Sequence, residues 1–288
     1  MIFRTDLAHE AKKLWENSAA KKTKLEGVAA HQTEHYGRPV DVVQILDERG
    51  ARSLGKPMGK YLSLELSDYF WTDHDGFCCL TETISKILHE LLPHSGNLLV
   101  VGLGNREITP DSVGPRTLDH LLVTRHLKET EISGFSALGC LSAISPGVLG
   151  KTGVESLDLV RGIISTVAPD CIIAVDALAS CHTDGLCRSV QITDTGIVPG
   201  SGIGNGRKEL NRDLLGIPVV AIGVPTVVDA SNVCGEDADA LPEDQRGLIL
   251  STADIDLWTA HIGKLIGYSI NRFIHPALSV GDLSMLLA

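Results

Sequence analysis

Three stretches of continuous apolar residues constrain the fold of this chain more than any other feature. They are NLLVVGLG (97–104), CIIAVD (171–176) and PVVAIGVP (218–225). Strands that are apolar at every position are typical of parallel strands covered by helices on both faces. Further candidate elements are a strand at 189–193 and helices at 112–127, 153–167, 206–216 and 254–273. This alternation predicts a doubly wound α/β fold, with three α/β/α layers and a mostly parallel sheet.

The amino-terminal third is patterned differently. Helical spacing of apolar residues covers 7–20, with Asp6 available as a cap, and a second helix is expected to end before Pro93. Between them, the stretch 33–66 indicates strands and turns. Because no linker rich in Pro or Ser divides the chain, we expect residues 7–288 to form a single domain.

Charge and hydropathy exclude two classes of partner. The chain has 25 Lys and Arg against 36 Asp and Glu, a net charge of −11, which opposes direct binding to nucleic acid. No apolar run approaches the ~18 residues that a membrane helix needs. The amino-terminal sequence MIFRTDLAHEAKK carries charges where an export signal is apolar, so we expect a cytoplasmic protein.

Acidic side chains follow the predicted strands. Asp111 lies in the loop after the strand at 97–103, Asp176 ends CIIAVD, and Asp194 ends SVQITD before a glycine-rich loop. Open parallel sheets bind ligands at the carboxyl ends of their strands. Asp111 is also suited to capping the following helix. An unpaired acid in an apolar strand such as Asp176 is costly, and two neighbouring acids would share a proton and could activate water.

Other chemistries are poorly supported. GLGN (102–105) lacks the third glycine of a dinucleotide site, and PGSGIGN (199–205) lacks the lysine of a phosphate loop. Histidines 31, 35, 74 and 182 do not have metal-ligand spacing, and no G-x-S-x-G elbow is present. The seven cysteines form no C-x-x-C pair, which predicts reduced thiols; Cys181 beside His182 is the one pair of note.

Six segments resemble the germination protease family of spore-forming bacteria. They are FRTDLAHEA (3–11), VGLGNREITPDSVGP (101–115), SPGVLGKTGVE (145–155), VDALAS (175–180), ITDTGIVPGSGIGNGRKEL (192–210) and LGIPVVAIGVPTVVDA (215–230). This resemblance implies an α/β/α fold similar to that of hydrogenase maturation proteases. It also implies an atypical aspartic endopeptidase that degrades small acid-soluble spore proteins at germination.

The resemblance assigns residues as well. Asp111 and Asp176 match the family's catalytic pair, and no cofactor is implied, although a metal at this pair stays open. The family is a self-processing zymogen, generally tetrameric, that cleaves after an acidic residue and before a hydrophobic residue and Ala. RTDLA fits that preference, which implies a pro-segment of residues 1–6, cleavage between Asp6 and Leu7, and a place in the spore core.

The glycine-rich loop is the candidate substrate platform, through Asp194, Gly200, Gly202 and Gly204. The chain departs from the family pattern in two ways: Cys181 and His182 follow DALAS where the family often has Arg, and the implied pro-segment is shorter than usual, which would weaken zymogen control. Two alternative functions stay open: a hydrogenase maturation endopeptidase, which is usually shorter, and a scaffold that binds spore proteins without cutting them.

Overall fold

The computed structural model describes residues 5–18, 25–92, 96–128, 137–201, 206–234 and 247–287. The helices are α1 (Ala8–Ser18), α2 (Glu48–Leu54), α3 (His74–Leu91), α4 (Val113–Leu118), α5 (Arg125–Lys128), α6 (Leu149–Thr152), α7 (Ser156–Val167), α8 (Arg212–Leu215), α9 (Ala230–Cys234), α10 (Ile255–Ile274) and α11 (Val280–Leu286). The strands are β1 (Val28–His35), β2 (Arg38–Ile45), β3 (Gly59–Glu65), β4 (Asn97–Gly102), β5 (Cys140–Ile144), β6 (Cys171–Ser180), β7 (Ser189–Thr193), β8 (Val219–Asp229) and β9 (Ile249–Leu250).

All the described strands belong to one sheet. Its order is β1-β2-β3-β7-β8-β6-β4-β5, and β9 pairs with the end of β8. Strands β8, β6, β4 and β5 are parallel to one another. Strands β1, β2, β3 and β7 extend this parallel half by antiparallel pairing. The predicted α/β class is confirmed, and the sheet is mixed because the hairpins of the amino-terminal third join its edge.

Helices cover both faces of the sheet. In β4, Leu98 and Val100 face a core that contains apolar residues of α3 and α10. Leu99 and Val101 face the opposite way, toward α7 and α8. On that second side, α1 and α2 pack against β2 and β3. The predicted three α/β/α layers are therefore confirmed, and the apolar character of β4 at every position follows from burial on both faces.

Several boundaries differ from the predictions. The strand predicted to end at 176 continues to Ser180, and its partner β8 continues to Asp229, because the two pair beyond the predicted ends through Ser180↔Val228. The helix predicted over 112–127 stops at Leu118, since the chain turns so that Thr124 can bond Gly139 and Leu141 at the start of β5. The helix predicted over 206–216 covers only Arg212–Leu215, because Leu210 instead pairs with Ile197.

A short helix lies within the stretch 33–66, for which only strands and turns are predicted. Helix α2 begins at Glu48, directly after Asp47. The Asp47 side chain accepts hydrogen bonds from the N–H groups of Arg49 and Gly50 and so caps the helix.

Within the described ranges, none of the helices combines the length and apolar character that a membrane span requires.

Two glycines allow α4 to pack closely between the sheet and α10. A Cβ atom at Gly114 would lie 2.2 Å from the Leu103 carbonyl oxygen and 2.6 Å from that of Val175. On the other side of α4, a Cβ atom at Gly267 of α10 would lie 2.7 Å from the His120 Cβ. Helix α4 is thus held between the sheet and α10, and this fixes the end of the loop that carries Asp111.

We expect Gly114→Ala to lower the free energy of unfolding by about 1 to 3 kcal/mol, because the added methyl group would overlap backbone atoms. The matched control is Gly162→Ala in α7, where a Cβ atom would meet nothing within 4 Å. That change should raise stability by up to about 1 kcal/mol through helix propensity. Urea denaturation measures both, and a Gly114→Ala chain as stable as the parent would contradict the packing described.

Candidate active site

Asp111 lies in a rigid turn at the carboxyl end of β4. A 3-10 helix spans Thr109–Asp111, and the Asn105 N–H donates to the Asp111 carboxylate at 2.8 Å and to its carbonyl oxygen at 3.0 Å. Gly104 has φ +99°, and a Cβ atom there would lie 2.1 Å from the Asp111 carbonyl oxygen. Glycine is therefore required for the turn to close on the acid.

The carboxyl group of Asp111 does not cap α4, whose N-cap is Ser112. The alternative interpretation of Asp111 as a capping residue is wrong, because its carboxylate accepts from Asn105 across the turn. Burial raises the pKa of Asp111 to about 6, against a smaller lowering by the Asn105 hydrogen bond. Asp111 is thus an acid that titrates near neutral pH.

Asp176 lies inside β6, beside the end of β4. The expectation that it ends its strand is wrong, since β6 continues for four residues past it and pairs it with Gly223. The side chain is 4% exposed. Burial raises its pKa well above the usual range, and the charge of Asp111 raises it further. One hydrogen bond, from the Ala177 N–H at 2.9 Å, opposes these effects.

The structure therefore brings the two predicted acids together, with Asp111 in the loop after β4 and Asp176 inside the adjacent parallel strand β6. Leu103 N–H donates to the Val175 carbonyl oxygen at 2.8 Å, which joins the Asp111 loop to the residue before Asp176. Two neighbouring acids whose pKa values are both raised are suited to general acid–base chemistry. Among the described residues, no group of three or more His, Cys, Asp or Glu side chains could hold a metal ion.

Asp194 is not at this edge. Strand β7 runs antiparallel to β8, so its carboxyl end points toward the amino ends of the parallel strands, away from Asp111 and Asp176. The expectation that Asp194 projects over the same edge is wrong. The exposed Asp194 carboxylate accepts instead from the Lys60 N–H at 2.8 Å, and so joins the loop to β3. Of the three candidate glycines, Gly200 has φ +72°, and Gly202 and Gly204 lie outside the described residues.

The amino-terminal segment Thr5–Ala8 lies along the end of β6. The Asp6 N–H donates to the Ala179 carbonyl oxygen, and the Asp6 carboxylate accepts from the Ala179 N–H, both at 2.9 Å. The Gln191 side chain accepts from the Ala8 N–H at 2.7 Å and donates to the Asp6 carbonyl oxygen at 3.2 Å. The charge of Asp6 contributes to the raised pKa of Asp176. The prediction that Asp6 caps α1 is wrong, because the Asp6 carboxylate is bound to β6.

Glu10 fixes the first turn of α1 to the same strand. Its carboxylate accepts from the Ser180 hydroxyl at 2.6 Å and from the Cys181 N–H at 2.9 Å. Burial raises the pKa of Glu10, but these bonds and one from Thr5 outweigh it, so the pKa lies below its usual value. Burial also raises the pKa of Cys181, which opposes a thiolate role for that residue.

A cavity of about 910 Å³ opens near Asp176. Gly223, which pairs with Asp176 across the sheet, and Leu178, two residues beyond Asp176 in β6, line it, whereas the two acids are not among its lining residues. Its other walls include Asp6, Lys56, Trp15, Gln191 and Ser201. Lys56 and Gln191 were not among the predicted site residues. Of the two, only Gln191 is distinctive in the sequence, because it is the single amide residue in the apolar strand SVQIT.

The raised pKa of Asp111 predicts a pH-dependent stability. The folded chain binds a proton at Asp111 near pH 6, whereas an unfolded aspartate does so near 4. The folded state therefore binds more protons between these values, and its stability falls as pH rises through them.

We expect Asp111→Asn to be more stable than the parent chain at pH 7.5, by about 1 to 3 kcal/mol, with the difference vanishing at pH 4. Urea denaturation at both values measures it. The exposed Asp213→Asn is the control and should show no such change. A difference of equal size at both pH values would contradict the raised pKa.

Comparisons with known proteins identify the family of this chain. The family model described as germination protease matches residues 5–243. The germination protease of Caldanaerobacter subterraneus is 35% identical, over 99% of this chain and 98% of the relative. That of Clostridium perfringens is 38% identical over the same shares, and that of Bacillus subtilis is 41% identical over 83% of this chain and 66% of the relative.

Among solved structures, the [NiFe] hydrogenase maturation protease HycI from Thermococcus kodakarensis matches with 18% identity and a TM-score of 0.36. The match covers 64% of this chain and 98% of that protein. The sequence matches are far stronger, because they extend over nearly the whole chain at 35% identity or more. The chain belongs to the germination protease family and is a protease.

Proposed function

We propose that this protease is an endopeptidase of atypical aspartic type that begins the degradation of small acid-soluble spore proteins in the spore core. The observation that carries the proposal is the pair formed by Asp111 and Asp176. Asp111 follows β4 and Asp176 lies in the adjacent strand β6, both have raised pKa values, and the charge of Asp111 acts on Asp176. Cleavage after an acidic residue, and before a hydrophobic residue and Ala, is the proposed specificity.

The pKa shifts support different roles for the two acids. Above about pH 6, Asp111 is ionised and can take a proton from a water molecule that attacks the scissile carbonyl carbon. The pKa of Asp176 is raised well above its usual range by burial and by the charge of Asp111, so a protonated Asp176 can donate its proton to the leaving amine nitrogen as the C–N bond breaks. Asp111 is then protonated and Asp176 ionised, and proton exchange with solvent restores the starting state. This mechanism requires no metal or other cofactor.

The amino-terminal segment supports self-processing. Residues 6–8 are Asp-Leu-Ala, which match the proposed specificity, and Asp6 is close enough to Asp176 to affect its pKa. We propose that residues 1–6 are a pro-segment removed by cleavage between Asp6 and Leu7. The hydrogen bonds of Asp6 to Ala179 must break for the peptide bond to reach the acids. We also propose a homotetramer, for which light scattering should give the mass of four chains.

Replacing either acid should abolish the activity. We expect Asp111→Asn and Asp176→Asn each to lower kcat/KM on a purified small acid-soluble spore protein by about 10² to 10⁴, as loss of a general acid or base does. Asp213→Asn, in the exposed first turn of α8, is the control and should retain full activity. EDTA should leave the parent enzyme active. Binding of the spore protein without cleavage by the parent chain would support a scaffold and contradict the proposal.

Self-processing is tested on the purified full chain at mildly acidic pH. Mass spectrometry should show loss of six residues in the parent chain and an intact Met1 in Asp111→Asn and Asp176→Asn. Processing that proceeds equally in these variants would show that another activity removes the segment.

A further inference from the structure

The carboxylate of Asp6 is bound by groups that suit any carboxylate. Its two oxygens accept from the Ala179 N–H at 2.9 Å and from the Ser201 hydroxyl at 2.7 Å. Both partners present a proton to the carboxylate. A neutral amide in the same place could accept from the Ala179 N–H and donate to the Ser201 hydroxyl oxygen, so a preference for a carboxylate must come from a nearby positive charge.

Lys56 supplies a positive charge at the same place. Its ammonium donates to the Thr5 carbonyl oxygen at 2.9 Å, and it follows the Gly55 cap of α2. Burial lowers the pKa of Lys56, while the charges of Asp6 and Glu10 raise it. Asp6 and Glu10 are thus the acidic groups that act on this ammonium.

Loss of residues 1–6 would remove interactions that Lys56, Ala179 and Ser201 make with Thr5 and Asp6. The Lys56 ammonium would lose the Thr5 carbonyl oxygen and one of its two neighbouring negative charges. The Ala179 N–H and the Ser201 hydroxyl would lose their acceptor at the same time. A half-buried cation with nearby free donors favours a new anion, because both the charge and the donors are costly to leave unpaired.

We propose that the Ala179 N–H, the Ser201 hydroxyl and the Lys56 ammonium form a carboxylate subsite, which selects an acidic side chain of the peptide substrate once residues 1–6 have left. Lys56 and Ser201 line the cavity of about 910 Å³ together with Asp6, so a peptide whose acidic side chain enters the subsite occupies this cavity. This inference rests on the proposed function, since it identifies the groups that would select the acidic residue. Asp6 occupies the same subsite in the unprocessed chain and so competes with substrate.

The direct test measures binding without catalysis. The full chain carries Asp6→Ala, which empties the subsite, and Asp111→Asn, which prevents cleavage. Calorimetry compares acetyl-Thr-Asp-methylamide with acetyl-Thr-Asn-methylamide. We expect the Asp peptide to bind about 10- to 100-fold more tightly, the range for hydrogen bonds to a charged group. Equal affinities, or no binding of either peptide, would overturn the proposal.

Lys56→Met in the same background should reduce the preference to less than about 3-fold, while the affinity for the Asn peptide stays the same. The matched control is Lys86→Met in α3, where the lysine is half-exposed and pairs with Glu90 at 4.0 Å. This control should keep the full preference. A preference that survives Lys56→Met would overturn the role of Lys56.

A thermodynamic cycle keeps the proposal testable if Asp6→Ala folds poorly. Thermal unfolding compares the parent chain, Asp6→Asn, Lys56→Met and the double variant. We expect Asp6→Asn to lower the melting temperature by several degrees with Lys56 present, and by less than half as much with Lys56→Met. Equal effects in both backgrounds would overturn the proposal. Both tests are independent of spore-protein cleavage, so the subsite and the proposed function can fail separately.

Discussion

The contact between α4 and the end of β4 is the constraint on which the site depends. Gly114 brings the helix so close that its Cα faces the Leu103 and Val175 carbonyl groups with no room for a side chain. The turn before the helix is thereby pressed against β6, and Asp111 comes to lie beside Asp176. The same closeness buries the two carboxyl groups, which raises both pKa values, and the charge of Asp111 raises that of Asp176 further.

Charge links this pair to the amino terminus. Asp6 lies near enough to Asp176 to oppose its ionisation, and Lys56 and Ser201 hold the segment that contains Asp6. Glu10 stays ionised in a buried place because β6 supplies its hydrogen bonds. The segment is thus fixed by polar contacts that ionic strength and pH can weaken, while Leu7 and Ala8 stay buried. Such a segment can be released at one end without unfolding the domain.

Much of the fold and the central pair could be predicted from the sequence, since β4, β6 and β8 are apolar throughout and the two acids follow or interrupt them. The direction of β7 could not, because SVQIT looks the same in a parallel and an antiparallel strand. For this reason Asp194 was predicted at the same end of the strands as Asp111 and Asp176, which is wrong. Lys56 could not be predicted either, because a lysine after a helix is normally solvent-exposed, whereas here it is partly buried and donates to the Thr5 carbonyl oxygen.

By itself, the sequence determined the layer architecture and the identity of the two acids. Both are encoded locally, in runs of apolar residues and in the residues that break them. The tertiary structure alone decided what surrounds the acids: the antiparallel course of β7, the extension of β6 and β8, and the position of Asp6 on Ala179. These depend on pairings between distant segments, whose register and burial set the pKa values on which the proposed chemistry relies.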